Sequence, residues 1–262
     1  MKLRTRCFPS LAMHHRRSAA RPLSRLLATG VMYVISVLLG IAATPYSGRA
    51  IPSDLQSWTS VSATINLDPD HRWFFYLEAQ PRVGDSISRL ERLILREAVG
   101  YNITNQLSVA VGYGWIPSFY NASYRSDFRN ENRLWQQLLF KEERWGLQWQ
   151  HRLRLEQRLI QDVAEASHRG RYFIKTSVPL GTNDSLGMTD FGLTGFNELF
   201  FNFNGATRGP KGGFDRNRTF IGPYGVVGPA RYEFGYLAEY APHFGSQSRL
   251  INAIMLNAMF SF

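Results

Sequence analysis

Residues 151–160 read HRLRLEQRLI, with Arg152, Arg154, Glu156 and Arg158 on one parity and Leu153, Leu155 and Leu159 on the other. Residues two apart on an α-helix point about 200° from each other, so neither set would form a stripe there. On a strand, period-two alternation sends the charges to one face and the leucines to the other. The segment is therefore read as a strand. A soluble sheet would bury the leucines and wet the charges, whereas a membrane barrel would turn the leucines to lipid and the charges to its lumen.

The same alternation recurs along the chain and favours the second environment. QLSVAVGYGW places Leu107, Val109, Val111, Tyr113 and Trp115 opposite Gln106, Ser108, Ala110, Gly112 and Gly114. FRNENRLWQQLLF gathers Arg129, Glu131 and Arg133, and RGRYFIKTSV sets Arg169, Arg171 and Lys175 against Tyr172, Ile174 and Val178. GFNELFFNF opposes Glu198 and Asn202 to Leu199, Phe201 and Phe203, and RYEFGYLAEY opposes Arg231, Glu233 and Glu239 to Tyr232, Phe234, Tyr236 and Tyr240. The core of a soluble sandwich prefers compact aliphatic side chains with aromatics in the minority. These apolar faces are aromatic instead, and Trp115, Trp149, Tyr232 and Tyr240 are expected in girdles at the two lipid interfaces. The last segment, LINAIMLNAMFSF, keeps Leu250, Ile254, Leu256, Ala258, Phe260 and Phe262 on one parity. A chain ending on an aromatic inside such a strand resembles the sorting signal of bacterial outer-membrane barrels, so Phe260 and Phe262 are read as an assembly signal for the barrel-assembly machinery.

The formal charge of +10 does not indicate nucleic-acid binding. Residues 1–50 hold eight Lys and Arg and no Asp or Glu, leaving 22 basic against 20 acidic residues after Ala50. The later arginines are interleaved with glutamates rather than clustered, unlike a phosphate-binding face. The basic start, the uncharged run 26–48 and the small residues around Ser47-Gly48-Arg49-Ala50 form the pattern of a secretory signal. The reading is a signal peptide over 1–50, favoured over a retained anchor, and a single barrel over 51–262 of the bacterial outer membrane. Cys7, the lone cysteine, lies in the leader, so the exported part is expected to hold no disulfide, thiolate metal site or cysteine nucleophile. No cofactor or metal is expected.

Eleven segments qualify as strands: about 56–66, 72–83, 88–101, 106–115, 127–141, 146–161, 168–179, 193–204, 215–227, 230–241 and 249–261. Bacterial single-chain barrels use an even number, so twelve antiparallel strands are expected, with ten as the second choice. A missed strand would fall in the first 90 residues or around GTNDSLGMTD. If the last strand ends in the periplasm, ITNQ, EERWG and VVGPA become short periplasmic turns, and the longer SFYNASYRSD and NGATRGPKGG lie outside.

The segments RNENRLWQQLLF, HRLRLEQRL, RYFIKTSVPL, FNELFF and RNRTFIG, in that order, resemble the bacterial Domain of Unknown Function 2490 family. The blocks that carry the likeness are Glu131, Arg133, Leu134, Trp135 and Gln137, then Arg152, Arg154, Leu155, Glu156 and Arg158. The resemblance implies an exported envelope β-barrel and supplies no activity.

With polar parities inward, the lumen would carry Arg129, Glu131, Arg133, Arg152, Arg154, Glu156, Arg158, Arg169, Arg171, Lys175, Glu198, Arg216, Arg218, Arg231, Glu233 and Glu239. Arg and Glu on neighbouring strands would pair and fill a narrow interior, since barrels of about eight strands are plugged and those of 16 to 18 hold channels. The expected role is a structural envelope component or narrow passive channel, with lipid as its surroundings. A small pore passing an anionic solute is the alternative. From other classes come an outer-membrane lipid-modifying enzyme and a soluble periplasmic ligand-binding barrel. Catalysis is not expected: His71, His151, His168 and His243 are scattered, and Ser167 and His168, adjacent on a strand, point to opposite faces. Exchange of Arg154 for Leu is expected to impair folding by stripping a partner from Glu156 or Glu131.

Overall fold

A computed structural model describes residues 53–119, 128–207, 209–244 and 247–262. The leader and its cleavage site lie outside the described residues. Alternating segments become β1 (Ser53–Asn66), β2 (Trp73–Gly84), β3 (Arg89–Asn102), β4 (Leu107–Trp115), β5 (Glu131–Arg144), β6 (Leu147–Ile160), β7 (Ser167–Asn183), β8 (Met188–Asn202), β9 (Gly213–Val227), β10 (Ala230–Phe244) and β11 (Gln247–Ser261). Each strand pairs with its sequence neighbours, and β1 pairs with β11 to close the barrel.

The wall thus has eleven strands among the described residues, neither twelve nor ten. Ten of the ladders are antiparallel, while β1 runs parallel to β11 from Ser53 opposite Leu250 to Thr64 opposite Ser261. An even count is required only when every neighbouring pair is antiparallel, and one parallel seam removes the requirement. Around GTNDSLGMTD there is no additional strand but a 3-10 turn, Asp184–Leu186, capped by the Asn183 side chain and closed by Gly187 at φ 62.

The two ends differ. At one end, here the turn end, the links are 67–72, 103–106, 145–146, 184–187 and 228–229, and the last strand finishes there. Its tightest link places Trp145 and Gly146 at φ 58 and 74, the two positive angles of a type I′ hairpin. At the other, the loop end, the links include 116–130 and 203–212. ITNQ, EERWG and VVGPA therefore share one end, and the two long connections share the other.

The faces settle which set of side chains is inside. Leu153, Leu155 and Leu159 are each about half exposed on the outer surface, while Arg154, Glu156 and Arg158 are buried. Tyr232, Phe234 and Tyr236 are likewise exposed, and Glu233 and Glu239 on the opposite parity of the strand are only 2% exposed. This is the inverse of a soluble sheet. The inward parity also carries aromatics: Phe173, Phe196 and Phe220 lie in a row with ring centroids 5.0 and 5.1 Å apart. Trp135 reaches inward over Gly112, where an added Cβ would come within 2.4 Å of the indole and 2.3 Å of the Glu97 carbonyl. No helix among the described residues is long and apolar enough to cross a membrane, which does not bear on crossing by strands.

Candidate lumenal site

Most of the expected lumenal charges come together as hydrogen-bonded ion pairs. Glu131 accepts from Arg133 Nε at 2.5 Å and from Arg158 Nε at 2.6 Å. Glu156 accepts from Arg169 Nη2 at 2.5 Å and Arg171 Nη1 at 2.6 Å, and Arg171 also donates to Glu198 at 2.6 Å. Arg169 continues to Asp215 at 3.1 Å, Asp215 to Arg216 at 2.9 Å, and Arg216 to Glu239 at 3.1 Å. Arg218 pairs with Glu239 and stands 3.8 Å from Glu198. The chain of contacts therefore returns to its start, forming a ring of four carboxylates and four guanidiniums that alternate across β6 to β10. Phe200 lies beneath it, 1% exposed, with the guanidinium carbons of Arg169, Arg171, Arg216 and Arg218 at 4.6 to 5.9 Å from its ring centroid. The aromatic face attracts the cations where water is excluded.

Two members of the network escaped sequence reading for a common reason. The β8–β9 register shifts between Phe200 and Phe201, opposite Arg216 and Phe214, so Asp215 is the extra residue of a bulge. The β2–β3 register shifts between Arg82 and Val83, opposite Arg92 and Leu90, which makes Glu91 extra. A bulge re-aims one side chain against the parity of its strand. Asp215 thereby meets Arg169, and Glu91 meets Arg249, which also pairs with Asp54 at 2.8 Å. Glu78, paired with Arg96 at 2.8 Å, follows ordinary parity in WFFYLEAQPR and was legible there.

Three expectations need correction. Arg129 is not lumenal: it precedes β5 in the link from β4, bridges to Ser118, and its Nε donates to the Gln161 carbonyl at the loop-end rim. Trp149 does not join the exposed aromatics, because its half-buried indole lines the interior cavity. Arg154 holds neither Glu156 nor Glu131; its Nε and Nη2 both donate to Gln137 Oε1, at 3.0 and 2.6 Å. The remaining expected aromatics lie towards both ends: Trp115 and half-buried Tyr240 at the loop end, and Tyr232 at the turn end. Tyr232 meets Phe260 edge-on at 6.4 Å, and Phe260 stacks with Phe262 at 6.2 Å.

The interior holds a cavity of about 1140 Å³. Its lining includes Gln106, Gly228, Pro229 and Ser261 at the turn end, and reaches inward to Trp58, Trp135, Arg154 and Glu198. Glu131, Arg133, Glu156, Arg158, Arg169, Arg216 and Glu239, all nearer the loop end, are not part of it. The cavity is a cup, open at the turns and floored by ion pairs. Lys175 and Arg231, both bonded to Glu233, line it nearer the mouth, and Arg152 bonds Glu198 at 2.8 Å.

The nucleophile candidates stay apart. Ser167 is buried inside and His168 is exposed outside. His151 is flanked by Phe140 and Tyr172 at ring distances of 6.3 Å, with Nδ1 3.0 Å from the Tyr172 hydroxyl. His71 lies in the β1–β2 turn, and the His243 side chain falls outside what is described. Among the described residues, no three His, Cys, Asp or Glu are grouped to hold a metal ion.

An apolar exterior around an ion-paired, partly aromatic interior defines a closed β-barrel of inside-out polarity. The chain belongs to the family described as Protein of unknown function (DUF2490), whose model matches residues 55–249. A protein of Methylorubrum extorquens described as an uncharacterized protein is 34% identical over 185 residues, covering 70% of this chain and 78% of that relative. No solved structure matches the chain. The family resemblance read from the arginine and glutamate blocks is thereby borne out.

Proposed function

We propose that this protein is an outer-membrane β-barrel that does not conduct: a structural component of the envelope, shut at its loop end. The observation that carries the reading is the pairing of a half-exposed outer row of Leu and aromatic side chains with buried carboxylates at 1–2% exposure directly behind it. Hydrocarbon suits the first, and only an enclosed polar interior suits the second. Short turns on one end and long links on the other fit the periplasmic and external sides of such barrels. Closure is supported by the ion-paired ring and the Phe200 plug, which span the region a through-channel would need. The reading includes lipid contact and delivery by the barrel-assembly machinery, and it involves no catalytic step and no nucleic acid.

Fractionation of expressing cells without detergent, followed by planar-bilayer recording of the folded protein, tests both parts. The expected outcome is recovery with outer membranes and no discrete conductance steps. Recovery in the soluble periplasm would overturn the membrane reading, and discrete steps would replace the closed barrel with the narrow anion-favouring channel.

A further inference from the structure

Charge divides the interior unevenly. In the ring nearer the loop end, four carboxylates face four guanidiniums and each acid has arginine partners. The lining of the turn-end cavity, by contrast, holds seven Lys and Arg against four Glu besides the ring's own Arg171, Arg218 and Glu198.

The surplus has two identifiable carriers on the cavity floor. Arg82 is 5% exposed; its Nη2 donates to Gln80 Oε1 at 2.8 Å, and its Nε has no hydrogen-bond partner. Its guanidinium carbon stands 3.6 Å from the Trp58 ring centroid. Arg154 is 3% exposed, stands 4.2 Å from the Trp135 centroid, and donates only to the neutral amide of Gln137 in its described hydrogen bonds. Among the described residues no carboxylate lies within ion-pair distance of either arginine; Glu239 acts on Arg82, and Glu156 on Arg154, only through space. A buried guanidinium left with neutral partners is strongly unfavourable unless an anion reaches it. Stacking on an indole fixes the direction in which each fork points while supplying only part of the missing compensation. Above the floor the wall carries hydroxyl and amide groups, Ser60, Ser62 and Thr64 on β1 and Gln148 and Gln150 on β6, among apolar side chains such as Phe74, Leu139 and Met259. Such a wall offers donors and acceptors to a hydroxylated body. A cavity of about 1140 Å³ is ample for a solute of that size.

We propose that the turn-end cavity binds a small polyhydroxylated solute bearing an oxyanion, a sugar phosphate or sugar carboxylate. Its anionic group seats on the floor where Arg82 and Arg154 have no bonded carboxylate, and its hydroxyls meet the Ser, Thr and Gln groups of the wall. That the mouth faces the periplasm rests on the outer-membrane reading; the site itself does not.

Titration of the full barrel, folded in detergent, with glucose 6-phosphate, glucuronate, inorganic phosphate and glucose tests this by calorimetry, with Trp58 and Trp135 fluorescence as a second readout. Saturable binding of one or both anionic sugars is expected, at least tenfold tighter than phosphate alone, with none for glucose; the two sugars distinguish a phosphate from a carboxylate headgroup. Arg82→Gln and Arg154→Gln should each weaken binding at least tenfold while the barrel keeps its heat-modifiable migration, because neither strips a carboxylate of its partner. Ser62→Trp, which fills the cavity without changing its formal charge, should abolish binding and guards against a folding artefact in the arginine variants. Absence of saturable binding by every anion, or phosphate binding as tightly as both anionic sugars, would overturn the proposed ligand. Without ligand, Arg82→Met should resist denaturant at least as well as the parent, and a lowered midpoint would make Arg82 a structural residue and overturn its role. A conducting barrel would refute the proposed function and leave this titration unaffected, so the two readings fail separately.

Discussion

Glu156 shows at the level of one side chain how this barrel tolerates charge in its interior. Its Oε2 accepts from Arg169 Nε at 2.9 Å and Nη2 at 2.5 Å, and its Oε1 accepts from Arg171 Nη1 at 2.6 Å. Removing one partner from such a cluster costs far more than the cluster contributes, because the remaining ions stay buried and unbalanced. Glu156→Gln is expected to destabilise the folded barrel by about 3–5 kcal/mol, measured as a lowered urea midpoint in detergent. A change within about 0.5 kcal/mol, the scale of ordinary surface substitutions, would mean the ring is not stabilising. Arg154 lies two residues away on the same face with no bonded carboxylate, so Arg154→Leu would break no ion pair, whereas Glu156→Gln would break two. Parity could place both residues inside, but it could not say which arginine meets which acid. Those pairings run between strands as distant in sequence as Arg152 and Glu198.

At the level of elements, the seam between β1 and β11 explains why eleven recognised segments did not reveal how the sheet closes. Each segment carried its own alternation, whereas the direction in which first and last strands meet is a property of the closed sheet. The seam extends past the last strand residue: Phe262 N donates to the Thr64 carbonyl at 3.0 Å, and Asn66 N donates to the Phe262 carbonyl at 2.9 Å. The Phe262 ring itself is 61% exposed on the outside. Backbone closure therefore does not need the ring, and under the proposed outer-membrane reading it is free to be recognised during delivery. Phe262→Ala is expected to fold from urea into detergent as well as the parent, while the heat-modifiable form recovered from cells falls several-fold. A matching loss in both assays would make the ring structural, and no loss in cells would remove it from assembly. The bulges at Asp215 and Glu91 were also illegible, since each depends on the register of two strands rather than on the composition of either.

For the whole molecule, the asymmetry of its two ends matters most, and it can be tested without any ligand. Thr64 lines the cavity on the turn side, and the only cysteine in the chain is Cys7. If the barrel lies in the outer membrane as proposed, with Thr64→Cys a polymer-linked maleimide too large to cross that membrane is expected to label permeabilised cells and spare intact ones. Labelling in intact cells would show that the interior is open from outside, or that the barrel sits the other way round.

Period-two alternation, read along the chain alone, was enough to give the all-β class, the strand segments, the outward Leu and aromatic rows and the inward Arg and Glu rows, because side-chain direction on a strand is local. The family likeness, too, was carried by short blocks of contiguous residues. The eleven-strand closure, the inward turn of Asp215 and Glu91, the ring around Phe200 and the blind cup with its two arginines lacking a bonded carboxylate could be decided only once the sheet had closed on itself. Each of them depends on register and on distances across a lumen, between residues that no local pattern brings together.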